Sequence, residues 1–217
     1  MRNANAIAVM VKAPVPGSVK TRLVPPLTRL QAARLYECLV KDTFASLSSL
    51  ADEGADIYAA CLGPLDSVRG IVPAGVELFG QSGDGLGERM RNALGSLFER
   101  GYKRAAVVGS DLPDLPARYV EEAFAMLEGG VNLALGPATD GGYYLAACDA
   151  PYEPVFASMR YSTPAVLEET IAKARENNIK CALVSPWHDI DTFEDLLLLR
   201  ANSDAPESSR FVEGLLP

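Results

Sequence analysis

The chain has 217 residues, of which 48% are apolar, so it is long enough to bury a sizeable core in one domain. Its net charge is −8 and it contains no run of lysines and arginines, which argues against nucleic acid as a partner. A small phosphorylated ligand is not excluded, because it needs only a few well-placed cations.

The cysteines and the apolar runs predict a cytoplasmic protein without a membrane partner. The four cysteines form no C-x-x-C pair, so we expect no zinc site and a reducing compartment. The first apolar run, over 6–11, is too short for a signal peptide, and no stretch approaches the length of a membrane span. The sequence leaves the oligomeric state open.

Strands and helices alternate along the chain. Short apolar runs predict strands over 6–11, 57–62, 76–79, 105–108, 131–135, 143–147 and 182–184. Helical periodicity predicts helices over 28–47, 86–100, 116–127, 163–177 and 192–199. Thr28 and Gln31 have the spacing of a capping box at the start of the first helix.

This alternation predicts an α/β fold of three layers (α/β/α), Rossmann-like, with a mostly parallel central sheet. We expect a single domain over 1–200 and a C-terminal tail over 201–217, with a loose polar segment over 202–209. Ligands of such sheets bind beyond the carboxyl ends of the strands. We therefore expect three loops to lie at one edge of the sheet. They are the loop after the first strand, the loop that contains Asp111 and the loop that contains Asp140.

The loop after the first strand has the features of a phosphate-binding site. It offers the cations Lys12, Lys20 and Arg22, and Gly17 allows a close backbone approach. It does not match the P-loop pattern, because Val19 stands where that pattern has its second glycine. The alternative is a solvated turn with ordinary surface lysines. In either case we expect the side chains to be exposed, so that substitutions change stability little.

A second glycine-rich loop precedes the helix predicted over 86–100. Gly85 and Gly87 lie where a helix N-terminus can bind an anion or the edge of a base. The register differs from that of a dinucleotide-binding fingerprint. A flexible turn is an equally good interpretation.

Acidic residues follow two further strands. Asp111 comes directly after the strand over 105–108 and is a candidate ligand for Mg²⁺, although a helix cap or an Asx-turn is the alternative. Asp114 is predicted to be a turn or capping residue. Asp191 is either a second metal ligand or the N-cap of the last helix, with Glu194 as its partner. The only histidine, His188, lies beside Trp187, and no G-x-S-x-G motif accompanies it, so we expect no hydrolase triad.

The segment Asp140-Gly141-Gly142-Tyr143 is the candidate substrate-binding loop. Its glycines allow close approach of a ligand, and Tyr143 or Tyr144 offers a ring and a hydroxyl. Asp-Gly between two strands is also a strong hairpin signal, and the two interpretations are compatible.

Taken together, five motifs resemble the nucleotide-diphospho-sugar transferase superfamily, which has the glycosyltransferase-A fold. They are KAPVPGSVKTRL, GDGLGERM, VVGSDLPDLP, GPATDGGYYL and DIDTFEDL, and they cover the chain to about residue 199. The match looks closest to an uncharacterised glycosyltransferase-like branch of bacterial proteins, similar to the guanylyltransferases of 2-phospholactate and molybdenum cofactor. The sequence departs from typical glycosyltransferases, because its strand-end motif is Ser-Asp-Leu-Pro and not D-x-D, and from nucleotidyltransferases by the prolines in its first loop.

The resemblance implies a sheet with a short antiparallel element, a nucleotide over the first strands, and a metal held by Asp111 with Asp191 as a second acidic position. We expect a metal-dependent transferase that uses a nucleotide-diphospho-sugar, with Lys20 and Asp111 as catalytic residues and Mg²⁺ or Mn²⁺ as cofactor. The main alternative is a nucleotidyltransferase that couples an NTP to a phosphorylated acceptor and releases pyrophosphate. A non-catalytic nucleotide-binding protein is a third possibility. The base, the sugar and the acceptor are not specified by the sequence.

Overall fold

The computed structural model describes residues 3–157, 159–161, 163–200, 202 and 204–215, which form one sheet with helices on both faces. The strands are β1 (Asn5–Lys12), β2 (Ala55–Leu62), β3 (Glu77–Gly80), β4 (Arg104–Gly109), β5 (Leu133–Pro137), β6 (Tyr143–Cys148) and β7 (Cys181–Leu183). The α-helices are α1 (Arg29–Ser46), α2 (Asp66–Arg69), α3 (Leu86–Glu99), α4 (Ala117–Glu128), α5 (Glu153–Phe156), α6 (Val166–Glu176), α7 (Phe193–Leu199) and α8 (Pro206–Glu213). Short 3₁₀ helices cover Thr21–Leu23 and Ser48–Ala51.

The strand order is β3-β2-β1-β4-β6-β5-β7, and β6 runs antiparallel to both of its neighbours while the other described pairings are parallel. Successive side chains of β1 point to opposite faces, so Ile7 and Val9 join one apolar cluster and Ala6 and Ala8 join the other. Burial on both faces explains the continuous apolar run of this strand. The predicted three-layer α/β fold, with its antiparallel element, is confirmed.

Helix α1 begins as predicted. The Thr28 hydroxyl accepts a hydrogen bond from the backbone N–H of Gln31 at 3.2 Å, and the Gln31 side chain accepts one from the backbone N–H of Thr28 at 2.8 Å. This capping box satisfies two of the free donors of the first turn. The helix predicted over 163–177 begins later than expected, at Val166. Among the described residues, no helix combines the length and the apolar character needed to cross a membrane.

The prediction of a loose polar segment over 202–209 is wrong for residues 206–209, because they belong to α8, which packs on α1 and α7, and residue 203 lies outside the described residues. Ala205 and Val212 are buried in a third apolar cluster with Leu23, Leu35 and Ile190. The carboxylate of Asp42, from α1, is 1% exposed and accepts hydrogen bonds from the backbone N–H groups of Glu207 at 3.2 Å and Ser208 at 2.7 Å. A carboxylate at this helix N-terminus supplies the acceptors that the first turn lacks. The domain boundary at residue 200 stays a prediction.

We predict that Asp42→Ala destabilises the protein by about 1–3 kcal/mol, because two amide N–H groups of α8 lose their buried acceptor. Thermal unfolding should show a loss of about 2–4 °C for each kcal/mol. Asp52→Ala, at an exposed position, is the matched control and should leave the midpoint unchanged. Equal midpoints for Asp42→Ala and the control would contradict a structural role for this contact.

Candidate functional site

Lys20 is a buried ammonium at the carboxyl end of the sheet. Its side chain is 3% exposed, and its Nζ donates to Asp111 Oδ2 at 2.7 Å and to Asp191 Oδ1 at 2.7 Å. Its φ of 46° lies in the left-handed region, which a residue with a side chain rarely adopts unless its surroundings enforce it. The expectation that Lys20 is exposed is therefore wrong, whereas the predicted meeting of the first loop with Asp111 is confirmed.

Three carboxylates converge around this ammonium. Asp111, Asp189 and Asp191 each place one oxygen so that the three atoms lie within 4.8 Å of one another. Asp111 follows β4, and its carbonyl oxygen accepts a hydrogen bond from the backbone N–H of Ile190 at 3.2 Å, which brings the two acidic segments together. Such a group of oxygen ligands is the kind that Mg²⁺ and Mn²⁺ prefer.

Asp191 is not the N-cap of α7, the helix predicted over 192–199. Thr192 caps α7, and its partner in the capping box is Asp195 rather than Glu194. The Asp191 carboxylate is therefore available to Lys20 and to Arg22, whose Nη1 lies 3.1 Å from Asp191 Oδ2. The capping alternative for Asp191 is wrong.

The carboxylates of this group differ in their affinity for protons. Burial, together with the charges of Asp111 and Asp191, raises the pKa of Asp189 to about 7. Burial also opposes ionisation of Asp191, but the charges of Lys20 and Arg22 outweigh it and lower the pKa of Asp191 below its ordinary value. Burial alone would lower the pKa of Lys20, but the two aspartates raise it, so the ammonium stays charged. Asp189 was not predicted as a site residue, since its place in the cluster depends on the tertiary fold.

The other candidate phosphate-binding residues of this region, Lys12, Gly17 and Arg22, are exposed. Lys12, the last residue of β1, is exposed, and its backbone N–H donates to the Tyr36 hydroxyl at 2.9 Å. Gly17 is exposed and has a φ of 87°. The Arg22 side chain is 65% exposed, so its guanidinium is accessible to a ligand beside its contact with Asp191.

Tyr36 of α1 links two of the loops and was not predicted as part of the site. Its hydroxyl lies 2.7 Å from Ser110 Oγ in addition to the contact with the backbone of Lys12. Burial raises the pKa of Tyr36 to about 12, so the phenol remains protonated. Its helical spacing marks it as a core residue, and this spacing alone does not reveal the polar role of its hydroxyl.

A cavity of about 230 Å³ adjoins the carboxylates. Asp111 and Asp189 line one part of it, and Asp140, Gly142 and Tyr143 of the predicted substrate loop line another. Asp140 Oδ1 accepts a hydrogen bond from the Gly142 N–H at 2.9 Å within the turn between β5 and β6, so the hairpin interpretation holds as well.

Two glycines of the candidate loops have structural explanations. A Cβ on Gly141 would lie 2.2 Å from the carbonyl oxygen of Pro164. A Cβ on Gly87 would lie 2.4 Å from the carbonyl oxygen of Phe156, so α3 packs closely at this point. Gly85 is the N-cap of α3. The carboxylate of Glu88 accepts a hydrogen bond from the backbone N–H of Asp84 at 2.9 Å, and this negative charge disfavours an anion there. Phosphate binding by Gly85 and Gly87 stays a prediction without support from these contacts.

Three polar residues near the site have structural contacts. Asp114 lies in a turn and does not cap α4; its carboxylate accepts from Trp187 Nε1 at 3.3 Å and from Asn202 Nδ2 at 2.6 Å. His188 stacks against Trp187, with ring centroids 5.0 Å apart. Tyr144 donates its hydroxyl to the carbonyl oxygen of Ser185 at 2.9 Å.

Comparison with solved structures identifies the fold as that of the nucleotide-diphospho-sugar transferase superfamily. A proposed nucleotide-diphospho-sugar transferase from Desulfovibrio desulfuricans G20 matches with a TM-score of 0.84 and 30% identity over 98% of each chain. A cytidylyltransferase from Leptospira borgpetersenii serovar Hardjo-bovis (strain JB197) matches with a TM-score of 0.61 and 13% identity over 99% of this chain and 94% of that one. Rv0371C from Mycobacterium tuberculosis H37Rv, in complex with manganese, matches with a TM-score of 0.52 and 11% identity over 98% of this chain and 100% of that one. The last two likenesses show the fold alone.

The chain belongs to the bacterial family described as "Uncharacterized protein conserved in bacteria (DUF2064)", whose profile matches residues 47–163. No curated protein matches the chain. The predicted membership of the superfamily is confirmed, while the roles of individual site residues stay predictions.

We predict that Asp189→Asn stabilises the metal-free protein above neutral pH. Because the folded-state pKa of Asp189 is raised to about 7, its contribution to stability is greatest below its ordinary pKa and is lost as the pH rises through 7. Asparagine does not ionise, so the variant avoids this loss of stability. In the presence of a chelator at pH 8 it should therefore melt a few degrees above the wild type, since each kcal/mol corresponds to about 2–4 °C. Thermal melts from pH 4 to 9 measure the effect.

Asp66→Asn, at an exposed position of α2, is the control for this series. The wild type and Asp66→Asn should lose stability in parallel over that pH range. A variant at Asp189 that is no more stable than wild type at pH 8 would show that the carboxylate is not held at a raised pKa.

Proposed function

We propose that this protein is an enzyme, a metal-dependent transferase that uses a nucleotide-diphospho-sugar. The observation that carries the proposal is the convergence of Asp111, Asp189 and Asp191 beside a cavity at the carboxyl end of the sheet, with Lys20 and Arg22 alongside. The relative from Desulfovibrio desulfuricans, which is 30% identical, supports the same class of reaction.

The residues present fit a divalent cation. Each of the three aspartates offers a carboxylate oxygen, and hard oxygen ligands suit Mg²⁺ or Mn²⁺. A diphosphate is strongly anionic, and carboxylates beside it would repel it unless a cation lay between them. When bound, the cation supplies neutralisation of the charge that develops on the leaving diphosphate.

The cations of the chain have separate roles in this proposal. Lys20 balances the charge of Asp111 and Asp191 and holds their two segments together. Arg22 is exposed and presents a planar fork of donors, which suits a phosphate. Lys12 and Gly17 lie on the same loop and complete the proposed phosphate site, and Asp140, Gly141, Gly142 and Tyr143 form the proposed substrate loop.

Nucleotidyl transfer is the second candidate, in which a phosphorylated acceptor attacks an NTP and pyrophosphate leaves. The position of Lys20 and Arg22 in the loop after the first strand supports it, because ligands of such sheets bind beyond the carboxyl ends of the strands. The two reactions differ in the leaving group, which is a nucleoside diphosphate in the first and pyrophosphate in the second. A protein that binds nucleotide without turnover would release neither.

The test is a thermal-shift panel of NTPs and nucleotide-diphospho-sugars with and without Mg²⁺ or Mn²⁺, followed by analysis of the products. A ligand that binds the folded state raises the apparent stability by mass action. We expect stabilisation by nucleotide-sugars that depends on the metal. We predict that Asp111→Asn loses this metal dependence, whereas the exposed control Asp66→Asn keeps it. A wild type whose nucleotide affinity is the same with metal and with chelator would overturn the metal role of Asp111.

We predict that replacing Arg22 mainly weakens nucleotide binding, whereas replacing Lys20 mainly lowers the stability of the fold. Arg22→Ala should change stability by no more than about 0.5 kcal/mol but weaken nucleotide binding by about 1.5–3 kcal/mol, or roughly tenfold to a hundredfold. Lys20→Met should lower stability in a chelator by several kcal/mol, because it leaves clustered carboxylates unpaired, and Mg²⁺ should restore part of the loss.

Calorimetric titrations and thermal melts measure these effects, with Arg34→Ala on the exposed face of α1 as the control. Unchanged nucleotide affinity in Arg22→Ala would return the loop to the interpretation of a solvated turn. A Lys20→Met variant as stable as wild type in chelator would contradict the pairing of this ammonium.

A further inference from the structure

The cavity beside the carboxylates carries information about the chemistry of its occupant. Its volume is about 230 Å³, below the range of roughly 300–1,000 Å³ that is usual for sites of whole drug-sized ligands. It therefore suits one part of a nucleotide-sugar or a small acceptor and not an entire nucleotide.

The charges that line the cavity are all of one sign. Asp111, Asp140 and Asp189 line it, and no lysine, arginine or histidine is among the lining residues in the part of the chain that the structure describes. Because Lys20 is paired with Asp111, an anionic occupant would be repelled chiefly by Asp189 when that group is ionised and by the exposed carboxylate of Asp140. A metal bound by Asp111 and Asp189 would offset their negative charge, but a bound diphosphate would offset the positive charge of the metal. The negative charge of Asp140 would still be present.

The rest of the lining is apolar or carries neutral hydroxyls. Met10, Met90 and Val107 line the cavity together with the rings of Tyr143 and Tyr161. The Tyr161 hydroxyl lies 3.4 Å from the Tyr143 hydroxyl and 3.4 Å from the carbonyl oxygen of Phe156, distances longer than a normal O–H···O bond. Burial raises the pKa of both tyrosines, so both phenols are uncharged at neutral pH. These groups match a ring that has an apolar face and several hydroxyls.

From this lining we infer that the cavity takes an uncharged, hydroxyl-bearing ring of monosaccharide size and discriminates against a phosphorylated or carboxylated one. The inference rests on the proposed function and narrows it, because an uncharged occupant fits glycosyl transfer and disfavours nucleotidyl transfer to a phosphorylated acceptor. The ring is either the sugar of the donor or an acceptor alcohol, and both present the same chemistry to the cavity.

The test compares ligands that differ at C6 of the sugar, where a neutral hydroxymethyl group is replaced by a carboxylate. UDP-glucose is paired with UDP-glucuronate, and GDP-mannose with GDP-mannuronate, in calorimetric titrations with Mg²⁺ present. Because each pair shares its nucleotide and diphosphate, the ratio of affinities reports on the cavity alone. We expect the neutral member to bind about twofold to fivefold more tightly, as repulsion from an exposed carboxylate implies. UDP and GDP alone show whether the neutral sugar adds affinity.

A second arm identifies the source of the ring. If the sugar of the donor adds no affinity, the protein saturated with UDP or GDP is titrated with glucose and with glucose 6-phosphate, and preference for glucose supports an acceptor in the cavity. Asp140→Asn keeps the side-chain oxygen that accepts from the Gly142 N–H but removes the charge, so it should narrow the preference for the neutral ligand. Asp66→Asn, at an exposed position, should leave the preference unchanged.

The outcomes separate this inference from the proposed function. If the neutral and acidic ligands bind equally in both arms, the inference is overturned while nucleotide binding stands. If no nucleotide binds under any condition, the proposed function fails and the inference fails with it. A preference for the neutral ligand that persists undiminished in Asp140→Asn would also contradict it, because the charge of Asp140 would then not be its cause.

Discussion

The site depends on one buried ammonium shared by two carboxylates. Lys20 contacts residues 91 and 171 positions further along the chain, and its side chain is 3% exposed. Removing a charge from water costs several kcal/mol unless close partners replace the hydration, so Lys20, Asp111 and Asp191 are stable in these positions only together. This constraint fixes the loop after β1, the end of β4 and the segment before α7 relative to one another.

Apolar packing behind the charges supports the same arrangement. Leu23, which follows Arg22, and Ile190, which lies between Asp189 and Asp191, are buried in one cluster with residues of α1, α7 and α8. The charged side chains therefore meet one another while their neighbours in sequence are held by the core. The C-terminal helix, although it lies beyond the last site residue in the chain, contributes to holding the acidic segment through this cluster. The hydrogen bonds from α8 to Asp42 fix that helix in place.

Features of this structure that depend on local sequence could be predicted, and features that depend on distant contacts could not. The capping box of Thr28 and Gln31, the buried strand β1 and the position of Asp111 at a strand end all follow from short patterns. Asp191 was one of two interpretations for the start of α7, and only the structure shows that Thr192 is the cap, because Lys20 takes the Asp191 carboxylate.

The burial of Lys20 and the membership of Asp189 in the acidic cluster depend on pairings between distant segments, which no local pattern encodes. The polar composition over 202–209 predicted a loose segment, and this prediction failed for a similar reason, because local composition does not show distant contacts. Its helix is stabilised by tertiary contacts with Asp42 and by burial of Ala205 and Val212, and not by its own apolar content.

Under the proposed function, the balance of charge at the site predicts that a metal and a diphosphate bind together. Three carboxylates meet two cations, and the raised pKa of Asp189 allows a proton to reduce the remaining negative charge at neutral pH. A divalent cation alone competes with that proton and with Lys20 for the same oxygens, and a diphosphate alone meets the carboxylates without compensation. When both bind, each offsets the charge of the other, so each should increase the affinity of the other by the same factor. The pairing of Lys20 with Asp111 and Asp191 thus favours a site that responds to the metal and the nucleotide as a unit.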